Sequence, residues 1–153
     1  MMDIPVREIM TRSVITVPIS MPVKDVAQLL NEKRITGLPV VNDAGLVVGV
    51  LSELDIISRQ GLIAGDIMSA NVISATEDAD AEDVARLLTD RRIRRVPILD
   101  DGKLVGIVSR SDLIRLFMVV RWVCEDCGYF ARGFVRPEIC PSCGSDRIVL
   151  QRD

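Results

Sequence analysis

Apolar positions at Val23, Val26, Ala27 and Leu30 recur at steps of three and four and lead on to Arg34, a spacing that predicts an amphipathic helix with a narrow, small-residue face. Ser20 and Pro22 stand where an N-cap and a first-turn proline belong. Two β-branched runs follow, Leu38 to Val41 and Leu46 to Leu51, separated by Asn-Asp-Ala-Gly at 42–45, which is hairpin-turn chemistry. A second helix is expected from Leu54 to Arg59. With the short run VITV at 14–17 in front, the pattern reads strand, helix, strand, strand, helix.

The same pattern returns. EIM ending at Met10 matches DIM ending at Met68, an offset of 58 residues, and at that offset VIT meets VIS, DVAQLL meets DVARLL and ITGLPVV meets IRRVPIL. The second turn, Asp100-Asp101-Gly102, is one residue shorter, so the offset then becomes 57 and Gly49, Ser52 and Asp55 fall on Gly106, Ser109 and Asp112. In this copy Thr76 or Asp78 is the expected cap of a helix over Ala81 to Asp90, and Ser109 opens a helix through Leu113, Leu116, Phe117 and Val120. Two copies, unlike three or more, suit a face-to-face pair rather than a solenoid.

In both copies the S-x-x-D stretch suits a capping box, with the Asp at the third helical position beside the positive end of the helix dipole. The same geometry also offers backbone N–H groups to an anion and a carboxylate to the two hydroxyls of a ribose.

VITV and VISA, LPVV and VPIL, and GVLSELD and GIVSRSD occur in the order and spacing of tandem cystathionine-β-synthase (CBS) domains. Residues 3 to about 118 resemble such a pair, the Bateman module. The resemblance implies an α/β (α+β) chain of two βαββα repeats, 1–60 and 61–120, packed as a pseudo-two-fold pair. It also implies an adenosyl ligand (AMP, ADP, ATP or S-adenosylmethionine), with the motif Asp on the ribose and strand backbone near the Pro on the adenine. The implied nucleotide-binding residues are Thr16, Gly37, Pro39, Gly49, Ser52 and Asp55 in the first copy. In the second copy they are Ser74, Arg94, Arg95, Pro97, Gly106, Ser109, Arg110 and Asp112. Arg91, Arg92, Arg94, Arg95 and Arg110 make the second position the expected home of a di- or triphosphate, unless that run is a solvated face. Glu53 stands where the second copy has Arg110, so the first position is expected to be empty or to take a less anionic ligand such as S-adenosylmethionine.

Composition narrows the function classes. The 153 residues are 48% apolar and 27% charged, which is globular, and at 3% aromatic the core must be aliphatic. The chain has no His, which removes histidine bases and ligands and leaves no enzymatic function expected. No apolar run reaches the ~18 residues of a membrane helix, and no basic-then-apolar leader opens the sequence, so a cytoplasmic location is expected.

All four cysteines lie in the last 33 residues, as Cys124-x-x-Cys127 and Cys140-x-x-Cys143, each pair followed by Gly. Two tight turns of this kind bring four thiolates to a tetrahedron, and the glycines allow the positive φ each turn needs. Two disulfides are the competing arrangement and belong to oxidising compartments. The segment 121–153 resembles a β zinc ribbon, and its CPSCG turn with Tyr129 and Phe130 nearby also resembles rubredoxin. Zinc is the expected metal and would be structural; iron in the same cage would be redox active.

Three readings follow: an adenosyl-ligand sensor that relays through the ribbon or a homodimer surface, a rubredoxin-like iron electron carrier with a CBS regulatory or docking module, and a zinc-ribbon adaptor in a nucleic-acid-associated complex. Residues 121–153 carry five Arg against five acids, so the basic footprint of phosphate-backbone binding is missing and an unidentified protein partner is the expected use of the ribbon. Leu113 to Val123 holds no Gly, Pro or Ser, so the last helix is expected to run straight into the first cysteine turn with no flexible linker.

Overall fold

The computed structural model describes residues 2–153, and its elements follow the repeat. The first copy holds β1 (Val17–Pro18), α1 (Val23–Lys33), β2 (Gly37–Val41), β3 (Val47–Ser52) and α2 (Glu53–Ser58). A short α3 (Ala64–Ile67) opens the second copy, followed by α4 (Ala81–Asp90), β4 (Arg95–Asp100), β5 (Lys103–Ser109) and α5 (Arg110–Val119). The C-terminal segment forms β6 (Val120–Cys124), β7 (Phe130–Ala131) and β8 (Ile148–Arg152).

The strand order of the first sheet is β1-β2-β3, with β1 parallel to β2 across the α1 crossover and β2 antiparallel to β3 across the Asn42 turn. Asn42 builds that turn through its side chain, whose oxygen accepts from the Ala44 and Leu46 N–H groups at 3.0 Å. β4 and β5 pair as the second hairpin, and β7-β6-β8 form a third, antiparallel sheet.

The chain divides into two compact units. One comprises Arg12–Ser74 and Pro97–Gly106, and its core is Val17, Val26, Leu30, Leu38, Val40, Leu51, Ala64 and Ile67. The other comprises residues 2–11, Ala75–Val96 and Ile107–Asp153. Its core joins Met2 and Ile4 of the N-terminal segment, Ala81 of α4 and Leu116 of α5 to Val120, Trp122, Cys124, Cys140 and Ile148 of the C-terminal segment.

Four local expectations are corrected. VISA is not a strand, and of VITV only Val17 joins β1, because so short a run lacks the cross-strand partners that hold extended backbone. The N-caps of α1 and α4 are Pro22 and Asp80, neither with a side-chain capping bond. Thr76 and Asp78 bond each other at 2.7 Å, while Asp80 turns its carboxylate to the Met2 and Ile4 N–H groups at 3.1 and 3.0 Å. Each copy opens on a helical turn that periodicity did not show, Val6–Glu8 and α3, too short to display a repeat. Finally, α5 ends at Val119 and Val120 is already strand, so the junction is helix to strand without a linker.

Candidate functional site

The hairpin of the first copy sets Gly37 directly across from Ser52, at the point where β3 gives way to α2. Ser52 caps α2: Asp55 N–H donates to Ser52 Oγ at 3.4 Å, and Ser52 N–H and Oγ donate to Asp55 Oδ2 at 2.9 and 3.1 Å. The other carboxylate oxygen faces the Arg59 guanidinium at 3.5 Å, and the Asp55 side chain keeps 17% of its surface. Gly37, Pro39 and Gly49 are buried, and Thr16 is half-buried just ahead of β1.

Gly49 has a packing reason of its own. A Cβ there would lie 2.4 Å from Met68 Sδ and 3.0 Å from the Ser69 carbonyl. The close approach lets β3 exchange two backbone hydrogen bonds with Ser69 through Val50, at 3.0 and 2.8 Å. Beside Thr16, a cavity of about 480 Å³ also meets Arg12, Val41 and Lys103. These two cations were not singled out in the sequence, because they belong to neither motif.

The second helix start is built more tightly. Ser109 N–H and Oγ donate to Asp112 Oδ2 at 2.8 and 3.0 Å, Thr11 Oγ1 donates to Oδ1 at 3.0 Å, and Arg115 pairs with the same Oδ1. Asp112 is buried to 2%. Its charge is tolerable there because every lone-pair direction meets a donor, one of them cationic. Arg115 is visible in the sequence as the i+3 neighbour of Asp112. Thr11 gave no local signal, being 101 residues away. Gly106 and Pro97 are buried, Arg95 is half-buried as the first residue of β4, and Ser74, Arg94 and Arg110 are exposed.

The four sulfurs of Cys124, Cys127, Cys140 and Cys143 lie within 4.8 Å of one another. The Cys124–Cys143 and Cys127–Cys140 separations are both 3.6 Å, close to the ~3.8 Å edge of a thiolate tetrahedron with ~2.3 Å metal–sulfur bonds. All four cysteines are free. Each turn closes as its glycine requires: Gly128 and Gly144 sit at φ +80° and +77° and donate to the carbonyls of Cys124 and Cys140 at 2.9 and 2.8 Å.

Burial works against ionising Cys124, but N–H groups of Cys127 and Asp126 and the neighbouring thiols bring it down to about 7. At Cys143 the Ser145 N–H favours the thiolate, yet burial and the three other sulfurs push it up to about 12. Crowded thiols that resist sharing a second negative charge are a donor set suited to a soft divalent cation, which relieves that repulsion. Across the two turns, Arg147 bonds Asp126 at 2.7 Å and Glu125 at 3.1 Å and so braces one turn against the other.

Two S-x-x-D helix starts behind matched hairpins define a tandem repeat, and the comparisons agree with that class. The family model of the CBS domain matches twice, at residues 6–61 and 64–119, and the chain belongs to that family. Among curated relatives, the chloroplastic CBS domain-containing protein CBSX2 of Arabidopsis thaliana is 29% identical over 67% of this chain and 58% of its own length. The uncharacterized protein MK0525 of Methanopyrus kandleri is 34% identical over 76% of this chain and 64% of its own. The chain thus spans roughly three fifths of the length of these two relatives. Other relatives are enzymes, such as the inosine-5'-monophosphate dehydrogenase of Methanocaldococcus jannaschii, matched over 22% of that protein's length.

Among solved structures, CBSX2 in complex with AMP superposes with a TM-score of 0.72 at 34% identity, over 74% of this chain and 96% of that one. The CBS domain pair of protein MJ0100 with 5'-methylthioadenosine and S-adenosyl-L-methionine gives 0.70 at 32%, over 75% and 96%. The mixed helix-and-strand fold expected from the sequence is that of these CBS pairs. Among the described residues, no helix is long and apolar enough to cross a membrane.

Proposed function

We propose that this chain is a non-enzymatic cytoplasmic regulator whose CBS pair binds an adenosyl ligand and whose four-cysteine segment is a metal-bound ribbon that relays the binding event to a protein partner. The observation that carries the reading is the twin arrangement of an aspartate fixed at a helix start directly after a hairpin. Such a group lies where it can accept from the two hydroxyls of a ribose in exchange for present donors, while the helix end favours an anion. The AMP of one similar structure and the S-adenosylmethionine and methylthioadenosine of another support this ligand class. Ser52, Asp55, Gly37, Pro39 and Thr16 would serve the first ligand, and Ser109, Asp112, Arg110, Arg95 and Pro97 the second.

Zinc closed by four thiolates would be structural. Exposed Leu54 and Ile57 on α2, and exposed Ile114 and Met118 on α5, support self-association into a homodimer. Direct fusion of α5 to β6 supports the relay, since no flexible segment separates helix from ribbon.

Calorimetric titration of AMP, ADP, ATP and S-adenosylmethionine into metal-replete protein tests the reading. Micromolar binding of one ligand, about −8 kcal/mol, abolished by an Asp55→Ala or Asp112→Ala substitution in folded protein, supports it. Absence of binding at millimolar concentration overturns it and leaves both motifs as helix caps. A second reading, an iron-bearing electron carrier, is favoured by the exposure of Cys127 and Cys143, which would bring a redox metal near solvent. A visible absorption band in aerobically purified protein would select it.

A further inference from the structure

Cys124 and Cys140 belong to two structures at once. Both are buried to 2%, and the core that holds them also holds Leu116 of α5, Ala81 of α4 and Ile4. The cysteine centre is therefore not a module hung from the chain; its inner pair is part of the wall against which α5 lies. Phe117 of α5 meets Phe134 of the C-terminal segment, with ring centroids 6.2 Å apart.

The end of α5 tells the same story. A helix leaves its last carbonyls without internal donors. At α5 those donors come from beyond the first cysteine pair: Arg132 Nη1 donates to the Met118 and Val120 carbonyls at 3.1 and 3.0 Å, and Asp153 N–H donates to the Val119 carbonyl at 2.7 Å. Arg132 is held for the task by Asp153 Oδ2, at 2.9 Å from its Nη2. A cation at this end also suits the helix dipole. At its other end α5 begins with Ser109 and Asp112.

In the metal reading of the four cysteines, a segment of some thirty residues with a three-stranded sheet draws much of its order from the bound cation, the shared core supplying the rest. When the metal leaves, α5 loses its carbonyl caps and part of its core together, and a ten-residue helix is too short to persist on propensity. We propose that occupancy of the four-cysteine centre by a thiophilic divalent cation sets the order of α5, and with it the Ser109–Asp112 helix start, and that Arg132 is the positioning residue that couples the two. The inference rests on the metal reading of the cysteines and not on adenosyl-ligand binding.

The test is amide hydrogen exchange on the full chain, without nucleotide, loaded with one Zn²⁺ and again after chelation under reducing conditions, with metal content measured in parallel. Exchange at residues 113–119 is expected to quicken at least about tenfold on stripping, with the amides of α1 as internal reference. An Arg132→Met chain is expected to keep one metal but to exchange in α5 near the stripped rate, and Arg132→Lys, with one donor still in reach of the carbonyls, to fall between.

Unchanged α5 protection in stripped protein overturns the inference, as does equal loss in α1, which would mean that the metal holds the whole chain. Full α5 protection in loaded Arg132→Met removes Arg132 from the coupling. A chain that takes up no metal overturns the metal reading itself, and that failure is told apart by the metal content alone.

Discussion

Thr11 Oγ1 donates to Asp112 Oδ1 at 3.0 Å and so ties a residue just beyond the first helical turn to the start of α5. On Asp55, in the same motif of the first copy, the corresponding Oδ1 faces the Arg59 guanidinium at 3.5 Å. One sequence pattern thus carries two degrees of structural commitment.

That difference predicts unequal stability effects. Asp112→Ala would empty a buried place, leave the half-buried Ser109 N–H without its acceptor and free Thr11 and Arg115 from the helix start, at a cost of about 2–3 kcal/mol. Asp55→Ala removes a half-exposed capping box and should cost about 1 kcal/mol. Urea unfolding of both variants at neutral pH checks the order; equal midpoints would remove the distinction.

The tight bonding at Asp112 has a consequence for binding. A ribose that approaches this carboxylate competes with Thr11 for Oδ1. Thr11→Val removes the competitor with little change of shape, so if the second motif is the ligand site its affinity should rise by up to about fivefold, the equivalent of one net hydrogen bond of about 1 kcal/mol. Titration of the variant beside the parent chain reads this directly. A fall in affinity would mean instead that Thr11 presents Asp112 to the ligand.

Much of this was legible in the sequence because it is local. The hairpins, the Ser caps at 52 and 109 and the two cysteine turns each need only a few neighbouring residues with a required backbone geometry, and Gly128 and Gly144 adopt the positive φ that their places implied. What the sequence hid is long-range. Asp80 looks like an ordinary cap but serves the N-terminal Met2 and Ile4. Arg132 gives no sign that it caps a helix fourteen residues upstream. The shared core of α5 and the cysteine centre could not be read from periodicity, since Cys124 closes a five-residue strand and Cys140 lies outside any helix or strand.

Gly49 is a glycine for reasons of space. A Cβ at this position would press on Met68 Sδ at 2.4 Å and Cγ at 2.9 Å, in a strand whose partner is Val40. Gly49→Ala should destabilise by about 1–3 kcal/mol through overpacking. Because part of the obstruction is a flexible side chain, Gly49→Ala with Met68→Ala should recover some of that loss, and a double-mutant cycle measures the coupling. Full additivity would place the strain at the Ser69 carbonyl, which a Cβ would meet at 3.0 Å.

The acid response follows from three carboxylates. Asp66 is held below the usual carboxylate range by the Ile63 N–H and then the Leu62 N–H, which close the first turn of α3. Asp78 is lowered mainly by the Thr76 hydroxyl, and Asp153 by Arg132. A carboxylate with a depressed folded pKa contributes fully above its unfolded value, about 3.9, and loses that contribution as pH falls through the folded value. Stability should therefore be flat from neutral pH down to about 5 and decline below about 4. Asp66→Asn isolates one contribution, since the variant lacks the charge at every pH. Its deficit in urea midpoint relative to the parent chain should be present at pH 7 and shrink as pH falls through the folded value of Asp66. A deficit that persists in acid would show that Asp66 acts through its shape and not its charge.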